Sequence, residues 1–322
     1  MFKLNWFVVF ESIIFLFSFL FIKCTLPTFH SLAIKQLVRE DGPKSHLYKK
    51  HTPTMGGLFF ILFLSLYAIT AYILKPNLFN DGYFLSLYIL FMAYGMLGFF
   101  DDLLKIKFEK GLVISVKIFL QIIIGLLWSY YCLFDHVIYI PGLLSLQLTS
   151  FQSIFWGCLV IVGSVNAINF TDGLDGLMVQ TVLIVLLGFV SIAYVLDQPI
   201  SLLSAGVFTC MLLLMIYPFN VFPAKIFVGD TGSMAIGAMV SGLALLQNIE
   251  IPLVLMGIIF VIETLSVAIQ IISFKLFKKR VFKMAPIHHA FELSGWQEPE
   301  IVRLFSIITL IGTFIALWWV IG

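Results

Sequence analysis

Acidic side chains next to apolar runs are the residues of this chain most suited to chemistry. Asp101 and Asp102 directly follow the apolar residues 83–100, and Lys105 comes four residues after Asp101. On a helix, Asp101 and Lys105 would share a face, whereas the two neighbouring carboxylates would point about 100° apart. An ionisable group beside membrane hydrocarbon is costly and is therefore a functional candidate. The alternative is a solvated helix end with a surface ion pair.

A second polar group lies in residues 166–177, where Asn169, Asp172 and Asp175 are spaced by three. That spacing predicts one helical turn with the three side chains on a common face. Two carboxylates repel each other unless a divalent cation or a lysine from elsewhere lies nearby. The segment therefore predicts a cation-binding or charge-paired site, with an Asp- and Gly-rich turn between two spans as the alternative.

Asp230 is the third acidic candidate. It lies between glycines in residues 227–233, immediately before an apolar run, where Thr231 or Ser233 could cap a helix. Free backbone N–H groups at a helix start attract anions, and a carboxylate beside them suits Mg²⁺ that bridges phosphate oxygens. Asn220 adds an amide to the same side of the membrane. A plain helix cap is the alternative.

Basic side chains and a histidine pair form the fourth group. Five Lys or Arg residues lie in 275–283, ahead of His288 and His289. Zinc is disfavoured because adjacent histidines diverge and no cysteine is near. Cations with imidazole donors fit a phosphate or pyrophosphate, whereas attraction to anionic lipid headgroups would explain the cations alone.

Isolated polar residues in other segments complete the candidates. Lys49 and Thr54 lie in a segment whose ammonium, hydroxyl and Gly N–H groups suit phosphate, although a basic flank of a helix would look the same. Lys117 would either snorkel to the membrane surface or point at the carboxylates. Glu263 and Gln270, seven residues apart, would share a helix face as a bundle contact or as a wall of the site.

The elements that position these residues must be membrane helices. The chain of 322 residues is 61% hydrophobic and 11% charged, far from the composition of soluble proteins. A bilayer needs about 20 apolar residues per helix. Ten runs approach that length and predict an all-α polytopic membrane protein, a single domain over residues 1–322: 4–22, 55–74, 83–100, 113–133, 152–168, 176–196, 202–217, 232–246, 252–274 and 301–321.

Lys and Arg predict the orientation of the spans. With both termini on the outer side, 15 of the 19 basic residues fall in the inner connections, as the positive-inside rule requires. The candidate carboxylates then lie at or near inner helix ends, facing the cytoplasm. The outer residues 135–150 alternate apolar and polar side chains around a Pro-Gly pair and predict a short hairpin.

Five motifs, in order along the chain, resemble those of the phospho-N-acetylmuramoyl-pentapeptide-transferase family, within the polyprenyl-phosphate N-acetylhexosamine-1-phosphate transferase superfamily. They are Pro-Thr-Met-Gly-Gly at 53–57, Asp-Asp at 101–102 with Lys105 and Lys117, residues 166–176, residues 228–233, and the stretch at 285–296 that begins Ala-Pro-Ile-His-His. The chain departs from the family pattern at Ala290, where a third histidine is usual, and at 51–52, where Gly-Thr is usual.

The resemblance implies a reaction at the bacterial cytoplasmic membrane. Undecaprenyl phosphate would attack the β-phosphate of UDP-N-acetylmuramoyl-pentapeptide, giving the first lipid intermediate of peptidoglycan and UMP, with Mg²⁺ as cofactor. These two substrates and the lipid bilayer are the expected partners, without nucleic acid, and a homodimer is an open expectation. Transfer of N-acetylglucosamine-1-phosphate for another surface polymer and, from a different class, an ion-coupled transporter are the alternatives.

Residue roles are expected on the same basis. Asp230 is the expected Mg²⁺ ligand, and Asp101 or Asp102 would help to hold the metal or would deprotonate the lipid phosphate. Asp172 is the second candidate for a base or nucleophile, and His288 joins the catalytic group. The residues expected to bind the phosphates, the nucleotide and the sugar are Lys49, Thr54, Lys105, Lys117, Asn169, Asp175, Asn220, Phe227, Gln270 and His289.

Overall fold

Helices dominate the computed structural model, which describes residues 6–31 and 52–322. In chain order they are α1 (Trp6–Ser31), α2 (Gly57–Leu74), α3 (Tyr83–Phe108), α4 (Ile114–Cys132), α5 (Ser150–Thr171), α6 (Leu177–Val195), α7 (Ile200–Asn220), α8 (Gly229–Leu246), α9 (Glu250–Met256), α10 (Ile258–Phe277), α11 (Ile287–Glu292) and α12 (Glu298–Ile321). A short 3₁₀ helix covers Pro76–Phe79, and two strands, β1 (Val137–Ile140) and β2 (Leu144–Gln147), form a hairpin.

Nine helices among the described residues are long and apolar enough to cross a membrane. They are α2 to α8, α10 and α12, and they confirm an all-helical polytopic architecture. The remaining predicted span, 4–22, corresponds to α1, which continues to Ser31. The apolar stretch of α1 found within the described residues, Ser12–Thr28, is shorter than a full span.

Helix α8 is the centre of the bundle. Within its span 83% of the residues are buried, the highest share of the nine. Gly, Ala and Ser recur along this helix, and small residues let neighbouring helices approach closely in a membrane. On α3, a Cβ added at Gly98 would overlap the backbone carbonyl of Asp230. This close approach holds the acidic end of α3 against the start of α8.

The predicted hairpin is confirmed, and it follows the last turn of α4. Its strands pair antiparallel. His136, just before β1, lies with Nε2 2.8 Å from Oε1 of Glu250 in α9. Trp319 of α12 donates from Nε1 to the Pro141 carbonyl at 2.8 Å. The C-terminal end of α12 therefore lies beside the hairpin, at the end of the bundle away from the first turn of α4.

The third predicted span ends at residue 100, but the helix does not end there. Helix α3 continues for two more turns to Phe108. Lys105 bonds Asp101 one turn earlier, with Nζ 2.7 Å from Oδ2, and such a pair supports the helix. The first charged residues therefore do not end this helix.

The predicted span 252–274 is also wrong as a single helix. It is divided between α9 and α10, which meet at Gly257. The backbone there has φ −94° and ψ 28°, away from α-helical values. A Cβ at Gly257 would lie 2.8 Å from a ring carbon of Phe260, so the bend is tightly packed. Hydropathy does not detect this break because both sides of it are apolar.

Candidate active site

Three carboxylates from two helices meet at one end of the bundle. Asp101 and Asp102 come from α3 and Asp230 from the first turn of α8, and one oxygen of each lies within 4.8 Å of the others. We name these three residues the carboxylate cluster. Asp101 lies about 27 Å along α3 from its start, close to the edge of a hydrocarbon layer about 30 Å thick. The predicted convergence of acids from distant segments is confirmed.

Two ammonium groups lie among these carboxylates. Lys105 Nζ is 2.7 Å from Oδ2 of Asp101 and 3.0 Å from Oδ2 of Asp230. Lys117, in the first turn of α4, contacts the same Asp230 oxygen and lies 3.4 Å from Oδ2 of Asp101. Of the two interpretations of Lys117, the one that points it at the carboxylates is therefore confirmed.

Asp102 caps helix α8 from another helix. Its Oδ2 accepts the N–H of Thr231 at 2.9 Å and the Thr231 hydroxyl at 2.7 Å. Its Oδ1 accepts the N–H of Asp230 at 3.2 Å. The prediction that Thr231 or Ser233 caps this helix is wrong, because α8 begins at Gly229 and both residues lie inside it. A carboxylate at this position also interacts favourably with the positive end of the helix dipole. Because the N–H groups of Asp230 and Thr231 already donate to Asp102, they are not available to bind a substrate anion.

Gly229 is required where α8 starts. Its φ of +73° is in the left-handed region, which favours glycine. A Cβ there would lie 2.8 Å from Oδ2 of Asp102 and 2.9 Å from Oγ1 of Thr54. Thr54 is buried beside this turn, and its neighbour Pro53 accepts the N–H of Phe227 at 2.8 Å. The predicted substrate residues Thr54 and Phe227 thus both frame the start of α8.

The predicted helical face through Asn169, Asp172 and Asp175 is wrong, because α5 ends at Thr171. Asp172 is the cap residue, and Asp175 lies in the Gly-rich turn that follows, where glycine commonly stops a helix. Asn169 remains on the last turn of α5. Its Nδ2 donates to Oδ1 of Asp230 at 3.1 Å, so Asn169 reaches the carboxylate cluster directly.

The pKa of Asp172 is raised well above the usual value of a carboxyl group. Burial contributes most, followed by the negative charges of Asp230, Asp102 and Asp175, while a hydrogen bond from the Gly229 N–H opposes them. Asp172 therefore holds a proton more readily than an ordinary aspartate. Such a group is suited to exchanging a proton with a substrate.

Asp175 and Asn220 support the connection between α7 and α8. Asp175 Oδ2 accepts the N–H of Ala224 at 2.8 Å, and Asn220 Nδ2 donates to the Ile226 carbonyl at 3.0 Å. Glu298 of α12 accepts the N–H of Asp175 at 3.3 Å. Their expected contact with substrate stays a prediction, and the contacts described here are with the backbone beside the site.

The two histidines point to different partners. His288 is buried, with Nδ1 3.1 Å from Oε1 of Glu263 in α10. His289 is half-buried, with Nδ1 2.7 Å from Oε2 of Glu292 one turn later. The open question about Glu263 is thereby answered: it contacts a candidate site residue.

Gln270 supports the basic segment that follows α10. Its Oε1 accepts the N–H groups of Val281 and Phe282, each at 3.0 Å, and its Nε2 donates to the Phe282 carbonyl at 3.0 Å. These contacts use both ends of the amide, so substrate binding by Gln270 stays a prediction. Lys49 lies outside the described residues.

The donor set fits a divalent cation. The three carboxylates of the cluster face two ammonium groups, which leaves one negative charge when all five groups are ionised. Carboxylate oxygens are the ligands that Mg²⁺ prefers. Asp101 and Asp230 each present an Oδ2 to the lysines, whereas both oxygens of Asp102 already accept backbone N–H groups. Asp101 and Asp230 are therefore the better metal ligands.

Sequence reasoning missed the partners that hold the candidate residues in place. Thr231 was considered only as a cap, although it donates twice to Asp102. Glu292 lies three residues after His289, a helical spacing that could have suggested the pair. Glu298 meets Asp175 across more than a hundred residues of chain, and no local pattern indicates it.

Known proteins match the chain along most of its length. Residues 84–248 match the family model described as glycosyl transferase family 4. The phospho-N-acetylmuramoyl-pentapeptide-transferase of Clostridium perfringens strain SM101 is 45% identical over 298 residues, which cover 90% of each chain. Enzymes of the same name from Thermoanaerobacter sp. strain X514 and Staphylococcus epidermidis strain RP62A are 42% and 36% identical. They cover 91% and 96% of this chain and 92% and 98% of their own lengths.

Proposed function

Since this chain belongs to the phospho-N-acetylmuramoyl-pentapeptide-transferase family, we propose that it transfers phospho-N-acetylmuramoyl-pentapeptide from a UDP-linked precursor to undecaprenyl phosphate. The observation that carries the proposal is the meeting of Asp101, Asp102 and Asp230 with two lysines at one helix end. Peptidoglycan synthesis is the process that the product would enter.

The reaction makes one phosphorus–oxygen bond and breaks another. An oxygen of the lipid phosphate bonds to the β-phosphorus of the UDP-sugar, and the bond from that phosphorus to the oxygen bridging the α-phosphate breaks. UMP leaves with the bonding electrons. A protonated lipid phosphate first loses its proton, and Asp172 or Asp101 takes it in this proposal. Asp172 suits that step because its raised pKa favours proton uptake.

The remaining problem is charge, because both reactants are anions that approach an acidic site. Lys105 and Lys117 supply donors for the phosphate oxygens. Asp230 and Asp101 would hold Mg²⁺, and Asp102 fixes Asp230 by accepting its N–H. When bound there, Mg²⁺ would neutralise pyrophosphate charge and stabilise the leaving UMP. Asn169 orients Asp230 through the bond to its other oxygen.

Location follows from the two substrates. The lipid carrier stays in the membrane and the UDP-sugar in water, so the site must lie where the two media meet. The bacterial cytoplasmic membrane, with the carboxylate cluster facing the cytoplasm, satisfies this requirement and the distribution of Lys and Arg. A homodimer remains a prediction.

The test is UMP release from UDP-N-acetylmuramoyl-pentapeptide with undecaprenyl phosphate. Asp230→Ala should lower turnover at least about a hundredfold, because metal stabilisation of charge is worth several kcal/mol. Asp135→Ala is the matched control, since Asp135 is exposed beside the hairpin and bonds only Ser150 among the described residues. Full turnover in Asp230→Ala would overturn the metal assignment, and an inactive wild-type protein would overturn the proposed function.

Metal binding also has a test that is independent of turnover. Mg²⁺ should raise the melting temperature of the purified wild-type protein, because a ligand that binds only the folded state stabilises it. The increase should vanish in Asp230→Asn and persist in Asp135→Ala. A chelator should abolish UMP release by the wild type, and added Mg²⁺ should restore it. An equal Mg²⁺-induced rise in Asp230→Asn would exclude Asp230 as a ligand.

A further inference from the structure

A buried glutamate in α10 holds a histidine from the segment that follows that helix. Glu263 and His288 are both fully buried, and Oε1 of Glu263 lies 3.1 Å from Nδ1 of His288. A carboxylate inside a membrane helix is costly and is kept where it serves a site. The contact joins α10 to α11 across 25 residues, so it is a tertiary contact and not a local helix pair.

This bond determines which imidazole nitrogen faces the neighbouring turn. A carboxylate accepts, so Nδ1 must carry the hydrogen. Nε2 then points to the opposite side, where it lies against Gly173, and a Cβ added at Gly173 would overlap it. Gly173 directly follows Asp172. His288 therefore packs against the turn that carries Asp172.

Two atoms of the pair are without hydrogen-bond partners in the part of the chain that the structure describes. They are Nε2 of His288 and Oε2 of Glu263. A buried polar atom left unpaired destabilises the folded protein. Nε2 would gain a partner when a phosphate oxygen of a reactant reaches the Asp172 turn. Nε2 would bond that oxygen while Nδ1 keeps its bond to Glu263.

We propose that Glu263 is a positioning residue. It orients His288 so that Nε2 packs against Gly173, in the turn that carries Asp172, and forms a hydrogen bond with a phosphate oxygen of the reactants. The inference rests on the proposed transferase function and extends it to a residue outside the five motifs. Glu263 acts through His288 and touches neither substrate. Its contribution should therefore disappear when the imidazole is absent.

The second histidine pair provides a matched comparison. Glu292 holds His289 within the short helix α11, at a spacing of three residues and a distance of 2.7 Å. This pair has the same chemistry, but it is only half-buried and lies within one element. A general effect of removing a carboxylate near a histidine would appear in Glu292→Gln as well as in Glu263→Gln.

The kinetic test compares Glu263→Ala, Glu263→Gln, His288→Ala and the double variant Glu263→Ala/His288→Ala. We expect Glu263→Ala to lower kcat about 10–100-fold, by analogy with the range found for carboxylates that orient metal-binding histidines, with a smaller change in KM. Glu263→Gln keeps an oxygen that can accept from Nδ1 and should lose less. The double variant should lose no more than His288→Ala alone. Glu292→Gln, whose histidine is expected to bind substrate, should raise KM more than it lowers kcat, and the exposed control Asp197→Asn should keep wild-type kcat and KM.

A spectroscopic measurement keeps the test independent of turnover. The ¹⁵N spectrum of the histidine-labelled protein should show hydrogen on Nδ1 of His288, assigned by its loss in His288→Ala, and Glu263→Ala should remove that signature. Full kcat in Glu263→Ala, additive losses in the double variant, or an unchanged His288 signal would each overturn the proposal. A wild-type protein without transfer activity, but with the expected His288 signal, would overturn the proposed function and leave the pairing in place.

Discussion

Asp172 is the residue whose protonation most clearly links the site to stability. Its pKa is raised well above the ordinary carboxyl value in the folded protein. Above the ordinary value the unfolded chain has released this proton, whereas the folded chain retains it or carries a poorly solvated charge. The contribution of Asp172 to stability is therefore lost as pH rises through the interval between the two pKa values.

We expect Asp172→Asn to melt at a higher temperature than the wild type at neutral pH without Mg²⁺. Asparagine has no charge to desolvate, and its carbonyl oxygen can still accept the Gly229 N–H. Melting would be followed from pH 4 to pH 8, where the variant should show the flatter profile. Turnover should fall by about 10²–10⁴-fold if Asp172 moves the proton.

The control for this change is Asp197→Asn. Asp197 is exposed in the connection between α6 and α7 and has a positive φ that asparagine also tolerates. Its melting profile should match that of the wild type. If the melting temperature of Asp172→Asn were below that of the wild type at every pH, the raised pKa of Asp172 would not be a source of instability.

At this scale the members of the carboxylate cluster were predictable, but most of their partners were not. Asp101, Asp230 and Lys117 attracted attention because charged groups beside apolar runs need an explanation. That Asp102 caps α8, and that Asp175 bonds a backbone N–H, depends on which helix ends meet in space. Spacing along one segment contains no information about such contacts.

At the scale of elements, the contact between α3 and α8 sets the shape of the carboxylate cluster. We expect Gly98→Ala to destabilise the protein by about 1–3 kcal/mol, the usual cost of overpacking. The added methyl group would overlap the Asp230 carbonyl and push the two helices apart. Turnover should also fall, because Asp102 would lose its bonds to Thr231. Thermal unfolding and UMP release measure the two effects.

Gly163→Ala in α5 is the matched substitution, since a Cβ there meets nothing within 4 Å among the described residues. Alanine favours a helix over glycine by about 1 kcal/mol, so this variant should be as stable as the wild type or more stable. Suppose that Gly98→Ala had the same melting temperature as Gly163→Ala and kept wild-type turnover. The close packing of α3 on α8 would then not determine the shape of the carboxylate cluster.

The predicted helical class is confirmed, and nine of the ten predicted spans have a counterpart among the described helices that could cross a membrane. Several predicted ends were wrong, because forces other than hydropathy decide them. The third span continues as α3 because a Lys105–Asp101 bond supports two further turns. The fifth stops at Thr171 as α5 because the Gly-rich residues after it turn the chain. The run 252–274 bends at Gly257 without any change of polarity. Side-chain bonds and backbone geometry are not visible in an apolar window.

The whole molecule has two chemically different ends. One holds the carboxylate cluster and its lysines. The other holds the hairpin, tied to α9 through His136 and to the end of α12 through Trp319. The connections predicted from the sequence to be inner hold 15 of the 19 basic residues, so the positive-inside rule predicts that the cluster end faces the cytoplasm.

This orientation can be tested by cysteine labelling. The four native cysteines are replaced by alanine, and a single cysteine is introduced at Leu143, 77% exposed in the hairpin turn, or at Lys279, exposed after α10. A membrane-impermeant maleimide should label Leu143→Cys in right-side-out vesicles and Lys279→Cys only in inside-out vesicles. The reverse pattern would place the carboxylate cluster on the outer face, away from any UDP-sugar in the cytoplasm. Because the hairpin holds the end of α12 through the Trp319 bond, the same label also reports the side on which the C-terminus lies.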